Sequence, residues 1–203
     1  MEKLVEKIKK LRESSKKRNF VQSFDLIINL KEFDTKKPEN KINEEVVLPH
    51  GRGPVEVVVF SDTLKDIGCT VLTSKDVENL SKNKRAAKKL ANKTDFFLSE
   101  PAMMAIVGKH LGQILAPRQK MPKVIVGDPR KLVEQLKRST KIKIKDAPVI
   151  QCIVGKQNMK DEEIAENITA VLKHLEHRLQ KGKKNIGKVL LKLSMSKPLE
   201  LEV

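Results

Sequence analysis

The hydrophobic period of this chain changes twice along its length, and that restricts its possible folds more than any single residue does. From Phe20 to Lys31 apolar and polar positions alternate. Phe20, Gln22, Phe24, Leu26, Ile28 and Leu30 share one face, and Val21, Ser23, Asp25, Ile27, Asn29 and Lys31 share the other. From Val55 to Phe60 the run is almost continuously apolar, and short strand patterns then alternate with helical ones. Beyond Ser139 and Thr140 the alternation returns, with Lys141, Lys143 and Lys145 forming a comb around Ile142 and Ile144. An alternating strand covers one layer, whereas a continuous apolar strand between helices needs cover on both faces. Neither terminal piece carries enough apolar surface to fold alone. The expectation is an α/β (α+β) chain of two domains. One is a discontinuous α+β domain, residues 1–52 plus 140–203, and the other is an inserted parallel-sheet domain, residues 53–139. The two crossings between them, near Gly51–Pro54 and near Ser139, would form a hinge.

Individual elements follow from local signals. Leu4, Val5, Ile8 and Leu11 recur at helical spacing, so a first helix should end near Ser14. Strands are expected at Glu45–Leu48, Val55–Phe60, Thr70–Leu72, Asp95–Leu98 and Lys123–Val126, with a brief helical piece around Thr63–Ile67. Thr73 and Asp76 have capping-box spacing, Ser81–Lys93 is a basic helical stretch, Pro101 suits the first turn of a helix, and Asp128–Pro129 opens another. Val149–Val154 should be a strand ended by Gly155. Asp161–Leu179 should be the longest helix, burying Ile164, Ile168, Val171, Leu172, Leu175 and Leu179, and Val189–Leu193 should be the last strand.

Charge is the loudest compositional signal. Lys and Arg number 42 against 26 Asp and Glu, a net +16, which favours a polyanionic partner. No stretch approaches the roughly 18 consecutive apolar residues of a membrane span, so no membrane partner is expected. Met1 runs straight into a charged helical pattern, so no export is expected either, and the location should be cytoplasmic. Trp and Tyr are absent and aromatics make up 3%. Recognition by base stacking is therefore poorly supported, and shape, phosphate and ribose contacts are favoured. Lys16, Lys17 and Arg18 lead into the first strand, whose outer face offers Ser23, Asp25 and Asn29 to a phosphate backbone or simply to solvent.

Catalytic signatures are missing where the fold class would need them. After the first parallel strand stand Ser61, Asp62 and Thr63, without the glycines of a nucleotide loop. His174 and His177 lie one helical turn apart with no third ligand nearby in sequence, so solvated histidines are favoured over a metal site. Cys69 and Cys152 sit in apolar runs and are expected to be buried free thiols. No cofactor, no metal and no enzymatic activity are expected.

Several blocks, in order, resemble the ribosomal protein L-one family in its archaeal form. They are Phe20–Asp25, Leu48–Gly53, Leu111–Arg118, Lys120–Pro122 and the closing strand Val189–Met195. The resemblance implies a Rossmann-like inserted domain and a first domain that holds a stem and loop of large-subunit ribosomal RNA in the mobile stalk. It also implies assistance in releasing deacylated tRNA from the exit site, repression by binding the protein's own mRNA, and a monomer off the ribosome. By position it places Phe20, Ser23, Ser194 and Met195 at the RNA face, with Gln22, Lys145 and Asp146 near them, and Gln22 able to point inward instead. Ser196 and Lys197 depart from the family's Gly-Pro. The serine adds a side chain where backbone would approach RNA, and Lys197 could compensate by contacting phosphate. A contrasting reading is an RNA-modifying enzyme, such as a methyltransferase, built on the parallel domain.

Overall fold

A computed structural model describes residues 2–35, 40–64, 67–144 and 147–201. The chain divides into two compact units, Met1–Gly53 with Arg138–Val203, and Pro54–Lys137.

The first unit is a four-stranded antiparallel sheet in the order β10-β9-β1-β8, built from β1 (Ser23–Leu30), β8 (Val149–Lys156), β9 (Ile186–Leu193) and β10 (Leu199–Leu201). Alternation in β1 is complete: Phe24, Leu26, Ile28 and Leu30 are buried and the residues between them are half-buried. Its apolar face packs with α1 (Glu2–Ser14), through Ile8 and Leu11, and with α6 (Asp161–Arg178), through Ile164, Ile168, Val171, Leu172 and Leu175. Each large side chain removed from water contributes about 1.5–3 kcal/mol before entropy is counted. A two-stranded ribbon, β2 (Asn43–Val47) against β7 (Ser139–Lys143), adds Val46, Ile142 and Ile144 to the same core.

Three details differ from the sequence expectation. Gly155 does not end β8; it lies inside the strand opposite Phe24, where a Cβ would stand 3.2 Å from Ile164 Cγ1 and 3.3 Å from Met159 Sδ, so any side chain there would have to push these two aside by a few tenths of an ångström. Strand β10 is an addition, three residues long and hidden in sequence behind Pro198. Asn167 is fully buried in the middle of α6. Its amide donates to Gly51 O and Val154 O at 2.7 and 2.8 Å and accepts from His50 N–H at 3.1 Å, which anchors the crossing segment to the helix.

The second unit is a parallel sheet in the order β4-β3-β5-β6, from β3 (Val57–Phe60), β4 (Thr70–Leu72), β5 (Phe96–Ser99) and β6 (Lys123–Val124). Every residue of β3 and β5 is buried. One face meets α2 (Ser74–Lys82), α3 (Lys84–Lys93) and α4 (Pro101–Leu115) around Val58, Phe60 and Phe97, and the other meets α5 (Pro129–Lys137) around Val57, Val59 and Leu98. The Thr73–Asp76 capping box forms in full, and Thr73 holds the Asp76 carboxyl below its ordinary range. The basic stretch expected as one helix from Ser81 is broken at Asn83, which ends α2 with its backbone N–H and caps α3 with its side chain. The helical piece expected around Thr63–Ile67 falls partly on residues 65–66, outside the described residues, and Thr63, Leu64 and Ile67 are not helical.

Candidate RNA interface

One end of the antiparallel sheet gathers the expected site residues from two strands distant in sequence. Strands β1 and β9 run side by side, so the residue at the start of one meets the residue past the end of the other. Ser23 N–H donates to Ser194 Oγ and Ser194 N–H donates to Ser23 O, both at 3.1 Å. Lys156, at the end of β8, donates from Nζ to Ser23 Oγ at 3.0 Å. That leaves the Ser23 hydroxyl proton available to an outside acceptor. Lys156 runs past Gly53, where φ is +102° and a Cβ would lie 2.6 Å from Lys156 Cγ, so only glycine fits there.

Gln22 is not on this surface. It is 1% exposed, and its Oε1 accepts the Met195 N–H at 3.1 Å, so it serves as the buried post on which the 195 turn stands. Phe20 departs from the alternation in the other direction. It was expected on the core face, yet β1 begins only at Ser23, and the Phe20 ring is 53% exposed beside exposed Val21. The Met195 side chain is 62% exposed, and Lys197 is exposed as well. Ser196 N–H donates to Leu193 O at 3.0 Å, and its Oγ accepts from Leu193 N–H at 2.9 Å. Its hydroxyl thus closes the turn that presents Met195, and Ser196 has no positive φ that would demand glycine. Lys145 and Asp146 lie outside the described residues.

Three supports were not anticipated from sequence. Gln157 N–H donates to Gln22 O at 2.9 Å and its Oε1 accepts from Gln22 N–H at 3.4 Å, continuing the ladder one residue beyond the sheet. Arg12 holds that loop, donating to Gln157 O, to Met159 O at 2.6 Å and to Asp161 Oδ1 at 2.6 Å, with its guanidinium 5.1 Å over the Phe24 ring. Arg18, Asn19, Phe20, Val21, Gln157 and Asn158 line an open groove of about 450 Å³ next to this scaffold. The signal that existed was Arg12 itself, a lone arginine at the end of an otherwise lysine-rich helix.

The outer sheet face carries Asp25, whose carboxyl is pushed up by burial and pulled back down by Lys192 and Lys156. Cys152 is buried and its thiol is pushed up to about 12, chiefly by desolvation, so it stays protonated and unreactive. His174 pairs with Glu44 at 3.2 Å, which Arg178 also holds at 2.7 Å. Among the described residues no group of three or more His, Cys, Asp or Glu is placed to hold a metal, and no described helix is long and apolar enough to cross a membrane.

Residues 8–197 match the Ribosomal protein L1p/L10e family. This chain belongs to that family. It is 46% identical over 203 residues to the large ribosomal subunit protein uL1 of Methanobrevibacter smithii, with 95% of each chain covered. The protein of the same name from Methanothermobacter thermautotrophicus is 41% identical, again with 95% of each covered. That of Pyrococcus horikoshii is 40% identical, over 99% of this chain and 96% of the relative. The matched span of the L1p/L10e family includes both halves of the site, the Phe20–Ser23 entry and the Ser194–Lys197 turn.

Proposed function

We propose that this chain is a non-catalytic constituent of the large ribosomal subunit in the cytoplasm, a monomer off the ribosome, that grips a ribosomal RNA stem and loop of the mobile stalk. Residues 1–52 with 140–203 act as the RNA-binding domain, and 53–139 form the inserted domain. One observation carries the reading. Exposed Phe20, Val21 and Met195 and the hydroxyls of Ser23 and Ser194 are collected at one end of a rigid sheet by hydrogen bonds that use Gln22, Gln157 and Arg12 as scaffold. Such a surface suits a sugar–phosphate edge: the methionine packs on ribose, the serines bond 2′-hydroxyl or phosphate oxygens, and Lys156 and Lys197 supply charge. Because the groups address backbone shape more than base identity, a similarly folded segment of the protein's own mRNA fits too, and binding there represses its translation. On the ribosome the same role assists release of deacylated tRNA from the exit site.

The methyltransferase reading loses support at the end of β3. Ser61 Oγ accepts the Thr63 and Leu64 N–H groups at 3.1 and 2.8 Å and donates to Glu100 at 2.7 Å. The amides that would cradle a phosphate are already engaged, beside two carboxylates, Glu100 and Asp62. The deciding experiment pairs cosedimentation with large subunits and titration of a stalk stem-loop. Met195→Ala with Ser194→Ala is expected to weaken the stem-loop by tenfold or more while leaving the fold intact. Unchanged affinity overturns the site. A messenger-leader titration tests the repressor role in the same variant.

A further inference from the structure

Apart from Val47, the exposed large apolar side chains of the described residues gather in two places. Phe20, Val21 and Met195 belong to the sheet end already described, whereas Met121, Val124 and Val126 crowd into six consecutive residues of the second unit and are 43%, 41% and 80% exposed. The parallel sheet of that unit ends at β6, with no strand on its far side among the described residues. Ile125 N–H donates to Ser99 O at 3.0 Å, and Lys123 stands in register with Leu98. In a parallel pair successive residues turn their N–H and C=O alternately toward the neighbouring strand and away from it. With residues 123 and 125 turned toward β5, the N–H and C=O of Val124 face outward. Side chains alternate as well: Ile125 packs into the core shared with α5, so Val124 and Val126 share the opposite face. Open main-chain groups give an incoming strand its affinity, and side chains at two-residue spacing give it its specificity.

Sheet edges are commonly blunted by proline, by lysine or by shortness. Pro122 has no N–H to offer and Lys123 charges the edge, yet Val124 and Val126 stay uncovered. The charge around them selects the strand that fits. Within residues 118–131, Arg118, Lys120, Lys123, Arg130 and Lys131 stand against Asp128 alone, and the first turn of α5 has no acidic residue. An identical edge from a second copy would set positive charge against positive charge. RNA would be drawn by the charge but makes no use of the valines or of the outward amide. We propose that β6 is a docking edge for an extended, acidic segment of a partner protein, which adds to the sheet as its next strand. Apolar residues at every second position of that segment lie over Val124 and Val126, and carboxylates on its other face meet Lys123. The inference is independent of the RNA reading and lies wholly within the second unit.

The test uses the full chain and, as probe, an end-blocked octapeptide of alternating valine and glutamate. Control peptides replace glutamate by lysine, replace valine by serine, or carry N-methyl groups along the backbone. Hydrogen exchange at the Val124 amide should slow by about tenfold or more when the probe saturates. Each control should bind more weakly by about tenfold or more. Two variants carry the same expectation against the probe. Val126→Glu changes a side chain too exposed to matter for folding, and Val124→Pro removes an N–H that no strand of this sheet uses. Both should keep the parent's melting temperature and its stem-loop affinity; should Val124→Pro melt early, Val126→Glu decides alone. Equal binding of the lysine peptide, full binding of the probe by Val126→Glu, or unchanged exchange at Val124 overturns the proposal. So does a concentration-dependent dimer that Val126→Glu abolishes, which makes a second copy the occupant. Protection of Val124 by an RNA duplex as strong as that by the probe overturns it as well.

Discussion

Strands β1 and β3 differ in hydrophobic pattern and in surroundings, β1 alternating and β3 apolar throughout. In β1 every second residue is buried, and its other face keeps Ser23, Asp25, Ile27 and Asn29 half-open. In β3 all four residues are buried between two helical layers. A sheet covered on one side keeps a surface on which groups can be set at fixed spacing, and its end carries the serines and methionine of the proposed RNA interface. A sheet covered on both sides has no such face, so apart from its exposed edge strand β6 the second unit offers a partner helices and loops. This difference accounts for two styles of surface in one chain: a few hydrogen-bonded groups in the first unit and bulk positive charge on α3 in the second.

The comparison breaks most visibly in a set of core substitutions. Leu26→Ala is expected to cost about 2–5 kcal/mol, and Ile27→Thr, one position along, well under that. Val58→Ser and Val59→Ser should both be costly, since neighbouring β3 positions face different cores. Urea denaturation measures all four, and an Ile27 cost equal to that of Leu26 ends the distinction. Gln22→Leu tests the site itself. It leaves the Met195 N–H without its acceptor and is expected to cost about 1–3 kcal/mol. It should also weaken the stem-loop without changing the salt slope, because no cation is lost. A changed slope would mean that Gln22 acts through charge. Arg12→Met removes charge-assisted bonds to Gln157 O, Met159 O and Asp161 while the loop keeps its backbone bond to Gln22, and it is expected to cost about as much and likewise to weaken the stem-loop.

Periodicity made the fold class legible because period 2 and continuous runs report how many sides of a strand are covered, which is a property of local sequence. What it could not report were features decided by a distant neighbour. Gly155 is read as a stop from composition, yet it is a strand residue paired with Phe24, and the room for its missing side chain is narrowed by Ile164 and Met159. Asn167 is a polar residue on a stripe otherwise apolar, and only the folded crossing segment shows what it bonds. Strand β10 is short and takes its pairing entirely from β9. Within the site, Ser23, Ser194 and Met195 are brought together by strand pairing. Gln22 obeys the alternation that Phe20, lying beyond the paired ladder, escapes. Of the scaffold, Arg12 left only the trace of a lone arginine on a lysine-rich helix and Gln157 left none, because what each bonds is decided by distant partners.

The smallest expected effect concerns Asp25, on the half-open face that β3 lacks. Burial raises its carboxyl above the ordinary value of 3.8, with Lys192 and Lys156 opposing. The folded chain therefore holds that proton more tightly than the unfolded chain does. The stabilisation is complete below the unfolded value and is lost as pH rises through the raised one. Asp25→Asn removes this dependence. The variant should match the parent in stability below about pH 3.8 and exceed it near neutrality, by less than about 1 kcal/mol because solvent screens a half-exposed group. Thermal melts of both proteins from pH 3 upward, on the order of half-unit steps, give the difference curve. A parent that gains on the variant as pH rises would show that the two lysines outweigh burial, making this sheet face a place where charge is welcomed instead of tolerated.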